Sequence, residues 1–451
     1  MKKACYKKGM KKSLRETFTE LILSSQEQAF HESCERDTRF ERPKGVITVC
    51  VGVRRCGKST LMERRMAELT SGGVKRENIV MLNFADERLA ELENENWNEL
   101  YEAYYSLYPE KRERETVYFC FDEIQMHRNW ELFVERLRRE ENCELYITGS
   151  SAKLLSKEIH TALRGRSLSW ELFPFSFGEY LTRKGIARTR RGTTHKMQVA
   201  KAWQNYKAEG GFPEVFELAA HTRIRMHQEY FDTLLYRDVV ERYNISQPLV
   251  LRQLARRMIH NIGAQLSVNK LCNDFRSSGH QVSKETLLQY IEWMEDAYFL
   301  FCIPPCTSSV SERFRSMKKV YCVDHALLSS LSNSFSDHEG QMLENMVFLA
   351  LRRISPEVYY YRTKGGYEVD FLAVHPYTHT KLLVQVCADM SPPTTRKREL
   401  RALQAAMAET GMTTGLIICE ADEEETLDTP QGQIRLIPAP RFLAPTDPWT
   451  A

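Results

Sequence analysis

The stretch VITVCVGVRRCGKST, Val46 to Thr60, decides the fold. Its first six residues are an apolar run with the length of a buried strand, and the LMERRMAEL that follows has helical spacing. Between them, Gly52, Gly57, Lys58 and Ser59 satisfy the pattern G-x-x-x-x-G-K-[ST]. Glycines at those positions let a loop curl so that its N–H groups face inward on a phosphate. Lysine then reaches the outer phosphates, and the serine hydroxyl offers Mg2+ an oxygen ligand. A helix opening at the loop adds the positive end of its dipole. The candidate ATP-binding residues are therefore Gly52, Arg55, Cys56, Gly57, Lys58, Ser59 and Thr60. A structural glycine turn is the alternative.

Such a loop binds nucleotide but hydrolyses it poorly without an acid to hold the metal and a group to activate water. VYFCFDEIQ supplies both. Val117 to Phe121 reads as a strand, ending in Asp122, placed with Ser59 to hold Mg2+, and Glu123, placed as the base that polarises water. A solvated turn is the competing reading of that acidic pair. NIVMLNFADERL reads as a further strand, Trp97 to Leu107 as a helix, and Glu144 to Thr148 as another strand that ends in TGSS. Thr148 and Ser150 then become polar sensors of the γ-phosphate, or simply the turn that leaves the sheet. This alternation predicts a parallel, doubly wound α/β sheet with its site at the strand C-termini. Further on, Arg164 and Arg166 flank a glycine in LRGRSLSWELFPFSFGEYL. Arg166 is the favoured arginine finger, acting on a neighbouring subunit, with an ordinary surface arginine as the alternative. Lys58, Glu123 and Arg166 form the catalytic set.

GVRRCGKST, FDEIQMHRNWE, YITGSS, LRGRSLSWELFPFSFGEYL, GGFPE and YEVDFLAV occur in this order in the chain. In this the chain resembles a prokaryotic family of AAA-type P-loop ATPases fused to a C-terminal region of unknown function with a restriction-endonuclease-like end. The resemblance runs from about residue 42 to residue 420. It implies ATP as ligand, Lys58, Ser59, Asp122 and Glu123 as working residues, and a cytoplasmic location.

The 451 residues are enough for two or three domains, and 42% apolar with 27% charged residues is a globular composition. A net charge of +3 selects no partner. Lys2, Lys3, Lys7, Lys8, Lys11 and Lys12 make the N-terminus basic, but no apolar core follows them as in a signal peptide. No run approaches the ~18 apolar residues of a membrane span. Of twelve cysteines, Cys50, Cys120, Cys322, Cys387 and Cys419 sit in strand-like runs and read as reduced core residues. Cys302 and Cys306, in CIPPC, lack a second pair and read as structural. His127, His375 and His379 lack partners at metal-ligand spacing.

Beyond the ATPase core, RKGIARTRRGTTHK, Arg183 to Lys196, is basic and without hydrophobic period, and reads as a loop or linker. GGFPEVFEL then opens a helical bridge in which Tyr230, Leu234, Leu235 and Val239 share a face. From Pro248 the order of elements suggests a winged helix, whose third helix carries an apolar stripe of Leu287, Ile291, Met294 and Tyr298. That helix offers Lys284 and Gln289 outward, but also Glu285, Glu292, Glu295 and Asp296, which oppose close phosphate approach. Arg252, Arg256 and Arg257 are an alternative backbone-contacting patch or a solvated face.

In endonuclease-like folds a helix acid, a strand Asp and an E-x-K gather a divalent cation. The aligned positions here are Glu344, Asp370, Gln385 and Cys387. Gln385 replaces a carboxylate and Cys387 a cation, so cleavage is expected to be lost, although Glu368 or Asp389 is a partial substitute.

The expected organisation is a basic helical extension (1–41), an AAA-type ATPase domain (42–182), a linker and helical bridge (183–247), a winged helix (248–325), an endonuclease-like α/β domain (326–422) and a partly disordered tail (423–451). The expected function is a cytoplasmic Mg2+-dependent ATPase, active as a homo-oligomer. Its cycle would control a C-terminal module that binds double-stranded DNA or a protein. A nucleotide-gated binding protein with incidental hydrolysis is the rival, and an ATP-regulated nuclease the third reading.

Overall fold

The computed structural model describes residues 12–31, 33–38, 40, 45–92, 96–150, 163, 165–189, 192–307, 309–332 and 338–450. Lys2, Lys3, Lys7, Lys8, Lys11 and Arg164 lie outside them. The chain divides into two compact units: Met1–Ser33, Thr38–Gly52 and Gly57–Leu172 form the first, and Cys34–Asp37, Val53–Cys56 and Phe173–Ala451 the second.

The first unit is an α/β domain around a five-stranded parallel sheet. Helix α1 (Leu14–Glu27) opens with a capping box, in which Ser13 and Glu16 satisfy each other's backbone N–H groups. The strands are β1 (Ile47–Val51), β2 (Ile79–Asn83), β3 (Val117–Asp122), β4 (Cys143–Gly149) and β5 (Ser167–Glu171). They alternate with α2 (Lys58–Ser71), α3 (Asn98–Leu107) and α4 (Trp130–Glu140). The spatial order β2-β3-β4-β1-β5 puts the Gly52 loop and the Asp122 turn on either side of β4. Because the strands are parallel, all three C-termini leave the sheet at one edge. β1 is buried along its whole length, Thr48 included, as a mostly apolar central parallel strand should be.

The second unit has a helical front and a mixed-sheet end. Its helices α5 (Phe177–Arg183), α6 (Thr193–Glu209) and α7 (Ala220–Leu235) precede a π-helical turn, Tyr236–Glu241. The residues read as a loop up to Lys196 in fact include the first turn of α6. That helix has a weak amphipathic pattern, which explains why no period was visible there. Next come α8 (Pro248–His260), β6 (Gln265–Leu266), α9 (Val268–Ser277), α10 (Lys284–Asp296), β7 (Leu300–Ile303), α11 (Val310–Arg315) and β8 (Lys318–Cys322). The three strands form an antiparallel sheet in the order β6-β8-β7. On α10, Leu287, Ile291 and Met294 are buried as their spacing predicts, and Tyr298 is buried just past the helix end.

After α12 (Ala326–Leu331) and α13 (Glu339–Ile354), the strands β9 (Val358–Arg362), β10 (Glu368–Val374), β11 (Lys381–Val386), β12 (Thr414–Cys419), β13 (Glu425–Thr429) and β14 (Gly432–Pro438) form one sheet in the order β13-β14-β12-β11-β10-β9. β11, β12 and β14 run parallel to one another and the rest antiparallel. Helix α14 (Pro393–Thr410) buries Leu403 and Met407 with Leu383, Ile417, Ile434 and Leu436. The expected disordered tail is therefore corrected: residues 425–438 are an edge hairpin, and Ala439–Leu443 a helix with Phe442 buried. Ile434 and Leu436, two apart, form the inward face of β14, a period that the acidic residues before it obscured.

Candidate functional site

In the first unit, Val51 hands the chain to Gly52, at φ 156°, and α2 begins after Gly57, whose φ of 98° lies in the left-handed region. A side chain at Gly57 would be strained, so this glycine fixes where the helix N-terminus points. The first residues of α2 are Lys58, Ser59 and Thr60. Lys58 is buried, donates to the Gly52 carbonyl oxygen at 3.1 Å, and lies 4.0 Å from Glu123 Oε1. A buried ammonium held by a loop carbonyl and a carboxylate is a positive charge already in position for an incoming anion. Ser59 and Thr60 are exposed on the first turn.

Two strands away across the sheet, β3 ends at Asp122. Ser59 Oγ donates to Asp122 Oδ2 at 2.8 Å, and the Thr148 hydroxyl donates to Asp122 Oδ1. Register explains the second contact: Phe121 pairs with Ile147, so the next residue of each strand is Asp122 and Thr148. Glu123 takes a left-handed conformation, φ 52°, and its N–H reaches Thr148 Oγ1 at 3.3 Å. This is a costly backbone for a non-glycine residue and is held by that contact and its neighbours. Its carboxylate accepts from Gln125 Nε2 and, at 3.3 Å, from Ser150 Oγ. Lys58, Ser59, Asp122, Glu123, Thr148 and Ser150 are thus brought together. Two hard oxygen donors, the Ser59 hydroxyl and the Asp122 carboxylate, share a hydrogen bond, a donor set that suits Mg2+ with water completing its shell. Arg166, exposed, stands apart from this group, 4.0 Å from Glu135 Oε1.

The loop tip, Val53–Cys56, is counted with the second unit, and there its contacts involve residues that the sequence does not single out. Arg54 makes a two-point ion pair with the buried Asp238 of the π-helical turn, at 2.9 and 3.2 Å. Arg55, φ 67°, pairs with Glu214 at 2.6 Å and lies over the Tyr230 ring. Arg36 is buried, donating to the Cys56 carbonyl at 2.9 Å and to Glu179 at 2.8 and 3.2 Å. Burial works to raise the Glu179 carboxyl, but Arg36 and Arg353 outweigh it and hold it down at about 2. Position 214 lies in the GGFPE segment that the sequence flagged, but Arg36 and Asp238 carry no local signal.

In the C-terminal sheet, Glu344 and Asp370 do come together, and Glu368 joins them, but around the Lys319 ammonium of β8. Burial, and then Asp370, push the Glu344 carboxyl up. Gln385 spends its carbonyl on the Asp370 N–H at 3.3 Å and its amide on Glu399 at 2.8 Å. The Cys387 thiol turns away to the Asp389 carbonyl at 3.2 Å, and burial pushes it up to about 11. Asp389 accepts from the Ser391 N–H instead of joining the cluster. These side chains do not fit a divalent cation as they stand, and among the described residues no group of three or more His, Cys, Asp or Glu is disposed to hold a metal. Of the arginines on α8, Arg252 is paired with Asp232, Arg257 with Asp274, and Arg256 lies over the Phe231 ring. No described helix is long and apolar enough to cross a membrane.

Three family descriptions match successive stretches: an AAA domain over residues 44–181, a domain of unknown function (DUF8612) over 200–338 and another (DUF4143) over 339–442. An uncharacterized protein of Methanocaldococcus jannaschii is 33% identical over 396 residues, covering 86% of this chain and 85% of its own. An uncharacterized protein of Haemophilus influenzae is 29% identical over 340 residues, covering 75% and 80%. Among solved structures, the Walker-type ATPase of Pyrococcus abyssi matches at 14% identity and TM-score 0.39, covering 70% of this chain and 95% of that one. With a parallel sheet that gathers a glycine loop, a lysine and two acids at one edge, and with that length of shared sequence, the chain belongs to the family of the Methanocaldococcus protein, an AAA domain followed by two domains of unknown function.

Proposed function

We propose that this chain is a Mg2+-dependent ATPase whose nucleotide cycle controls a binding module in its second unit. The observation that carries the reading is the convergence of Lys58, Ser59, Asp122, Glu123 and Thr148 at the C-terminal edge of the parallel sheet. ATP would lie on the Gly52 loop with its phosphates at the α2 N-terminus, and Lys58 would leave the Gly52 carbonyl for the β- and γ-phosphate oxygens. Ser59 and Asp122 would hold Mg2+, which supplies neutralisation of charge between those phosphates. Thr148 keeps Asp122 oriented, and Glu123, steadied by Gln125 and Ser150, takes the proton of the attacking water. Arg166 would complete the site of a second copy of the chain. Specific activity is then expected to rise with protein concentration, and Arg166→Ala to flatten that rise; a wild-type rate independent of concentration removes the trans role.

Residues 53–56 belong to the unit that would respond, and Arg54 is tied to a π-helical turn, an irregularity often found at functional sites. The order of α8, β6, α9, α10, β7 and β8 supports a winged helix as the binding module. On its faces, Asp232 and Asp274 already neutralise Arg252 and Arg257, which favours a protein over a DNA backbone as partner. The nuclease reading has little support, since Gln385 and Cys387 are engaged elsewhere. Buried core thiols such as Cys120 and Cys322 fit a cytoplasmic setting.

Steady-state ATP hydrolysis by the full chain, with Lys58→Ala as background and with or without double-stranded DNA, tests this. Turnover that Lys58→Ala abolishes is expected. Turnover no higher than that background would leave a nucleotide-gated binding protein. Several-fold stimulation by DNA would identify DNA as the partner, and an unchanged rate a protein.

A further inference from the structure

Strand β8 brings Lys319 under the C-terminal sheet, where the side chain is 3% exposed. Its ammonium lies 2.9 Å from Asp370 Oδ1, 2.9 Å from Glu368 Oε1 and 3.2 Å from Glu344 Oε1. A single residue type on one strand thus meets carboxylates from α13 and from two positions of β10 that share one face. Each carboxylate is fixed by a second contact. Tyr321, two residues on from Lys319, donates to Glu344 Oε1 at 2.7 Å; Gln265 donates to Glu368 at 2.5 Å; and the Val386 N–H reaches Asp370 Oδ2 at 2.9 Å. Gly263 presses so close to Glu344 that a Cβ there would meet its Oε2 at 2.5 Å. The carboxylates are therefore set by the fold to converge on a cation, and the cation they converge on is covalently attached.

An ammonium carries one charge where a divalent ion carries two, and it is a hydrogen-bond donor where a metal is an electron-pair acceptor. Its three protons match three acceptors in number and distance. Buried carboxylates left without such a partner would be strongly destabilising, so the lysine is not a bystander. We propose that Lys319 is the resident cation of this carboxylate set, occupying the position a hard divalent ion such as Mg2+ or Mn2+ would take, and that removing its ammonium converts the set into a divalent-cation site. The inference concerns the second unit alone and does not depend on the nucleotide reading.

The test is Mn2+ binding to the nucleotide-free full chain, followed by electron paramagnetic resonance of the free ion. Lys319→Met should bind an Mn2+ that the wild-type chain does not, and Lys319→Met combined with Asp370→Asn should lose it again. Asp370→Asn alone should leave wild-type Mn2+ binding unchanged, since no ion sits there to be lost. A folded Lys319→Met chain that gains no ion overturns the proposal, and so does a wild-type ion that Asp370→Asn releases. Should Lys319→Met not fold, the comparison of wild type with Asp370→Asn still decides.

Discussion

Glu123→Gln should lower ATP turnover by about 10²- to 10⁴-fold, the usual contribution of a positioned general base, while leaving ATP binding intact. The carboxamide keeps the side chain's size and can keep its contacts with Gln125 and Ser150, so the change is one of basicity and charge. The position is also structurally committed, because the left-handed backbone at Glu123 aims the side chain toward the loop and is held by the N–H contact to Thr148. Phosphate release measured beside the affinity for a fluorescent ATP analogue separates the two effects. A fall in rate with unchanged affinity is the expected pair. A variant that hydrolyses at the wild-type rate would move the base elsewhere, and one that fails to bind would make Glu123 a structural partner of Lys58, from which it is 4.0 Å.

Glu179→Ala should destabilise the second unit by about 3–5 kcal/mol, the cost of leaving a buried guanidinium without its carboxylate. Arg36 would lose both of its Glu179 contacts, and Arg353, whose Nη1 lies 3.9 Å from Glu179, would lose a second source of compensation. The carboxyl also accepts from the Asp37 and Ser176 N–H groups, so Glu179→Ala strands those donors as well. The pH dependence has a definite sign. The folded carboxyl is held at about 2, below its unfolded value, so its stabilisation is present above about pH 4.3 and is lost as pH falls toward 2. Denaturant midpoints at pH 7 and pH 3 should therefore differ more in the wild type than in Glu179→Gln. Equal acid sensitivity in the two would show that other carboxylates govern the acid limb.

What the sequence discloses and what it hides divide along a physical line. The Gly52 loop, the strand ending in Asp122 and Glu123, and the polar exit at Thr148 are legible because their chemistry is local: strand, turn and helix follow one another within a few residues. β5 is not, because SLSWE alternates serine with larger residues and its pairing with β1 is set only by the fold. Arg36, Asp238 and Lys319 are single charges in unremarkable contexts, and each matters through partners far along the chain. Cys387, by contrast, is conspicuous by alignment and turns out to face a backbone carbonyl. The edge hairpin at residues 425–438 escaped for a third reason. Its outward residues are acidic or polar, so composition masked a two-residue period.

The order of strands in the parallel sheet has a consequence for how the protein is made. β1 leaves the ribosome early, but its hydrogen-bonding neighbours are β4 and β5, so Thr48 must wait for Tyr146, and Ile47 for Ser167. Loop closure over such spans is slow, and an unpaired apolar strand is exposed meanwhile to chaperones and to aggregation. The glycine loop, which hangs from the end of β1, has no support until those later strands arrive. Nascent chains that stop before Cys143 would carry the phosphate-binding sequence without the phosphate-binding shape, and the capacity to hold ATP should appear abruptly once β4 and β5 have been made rather than grow with length.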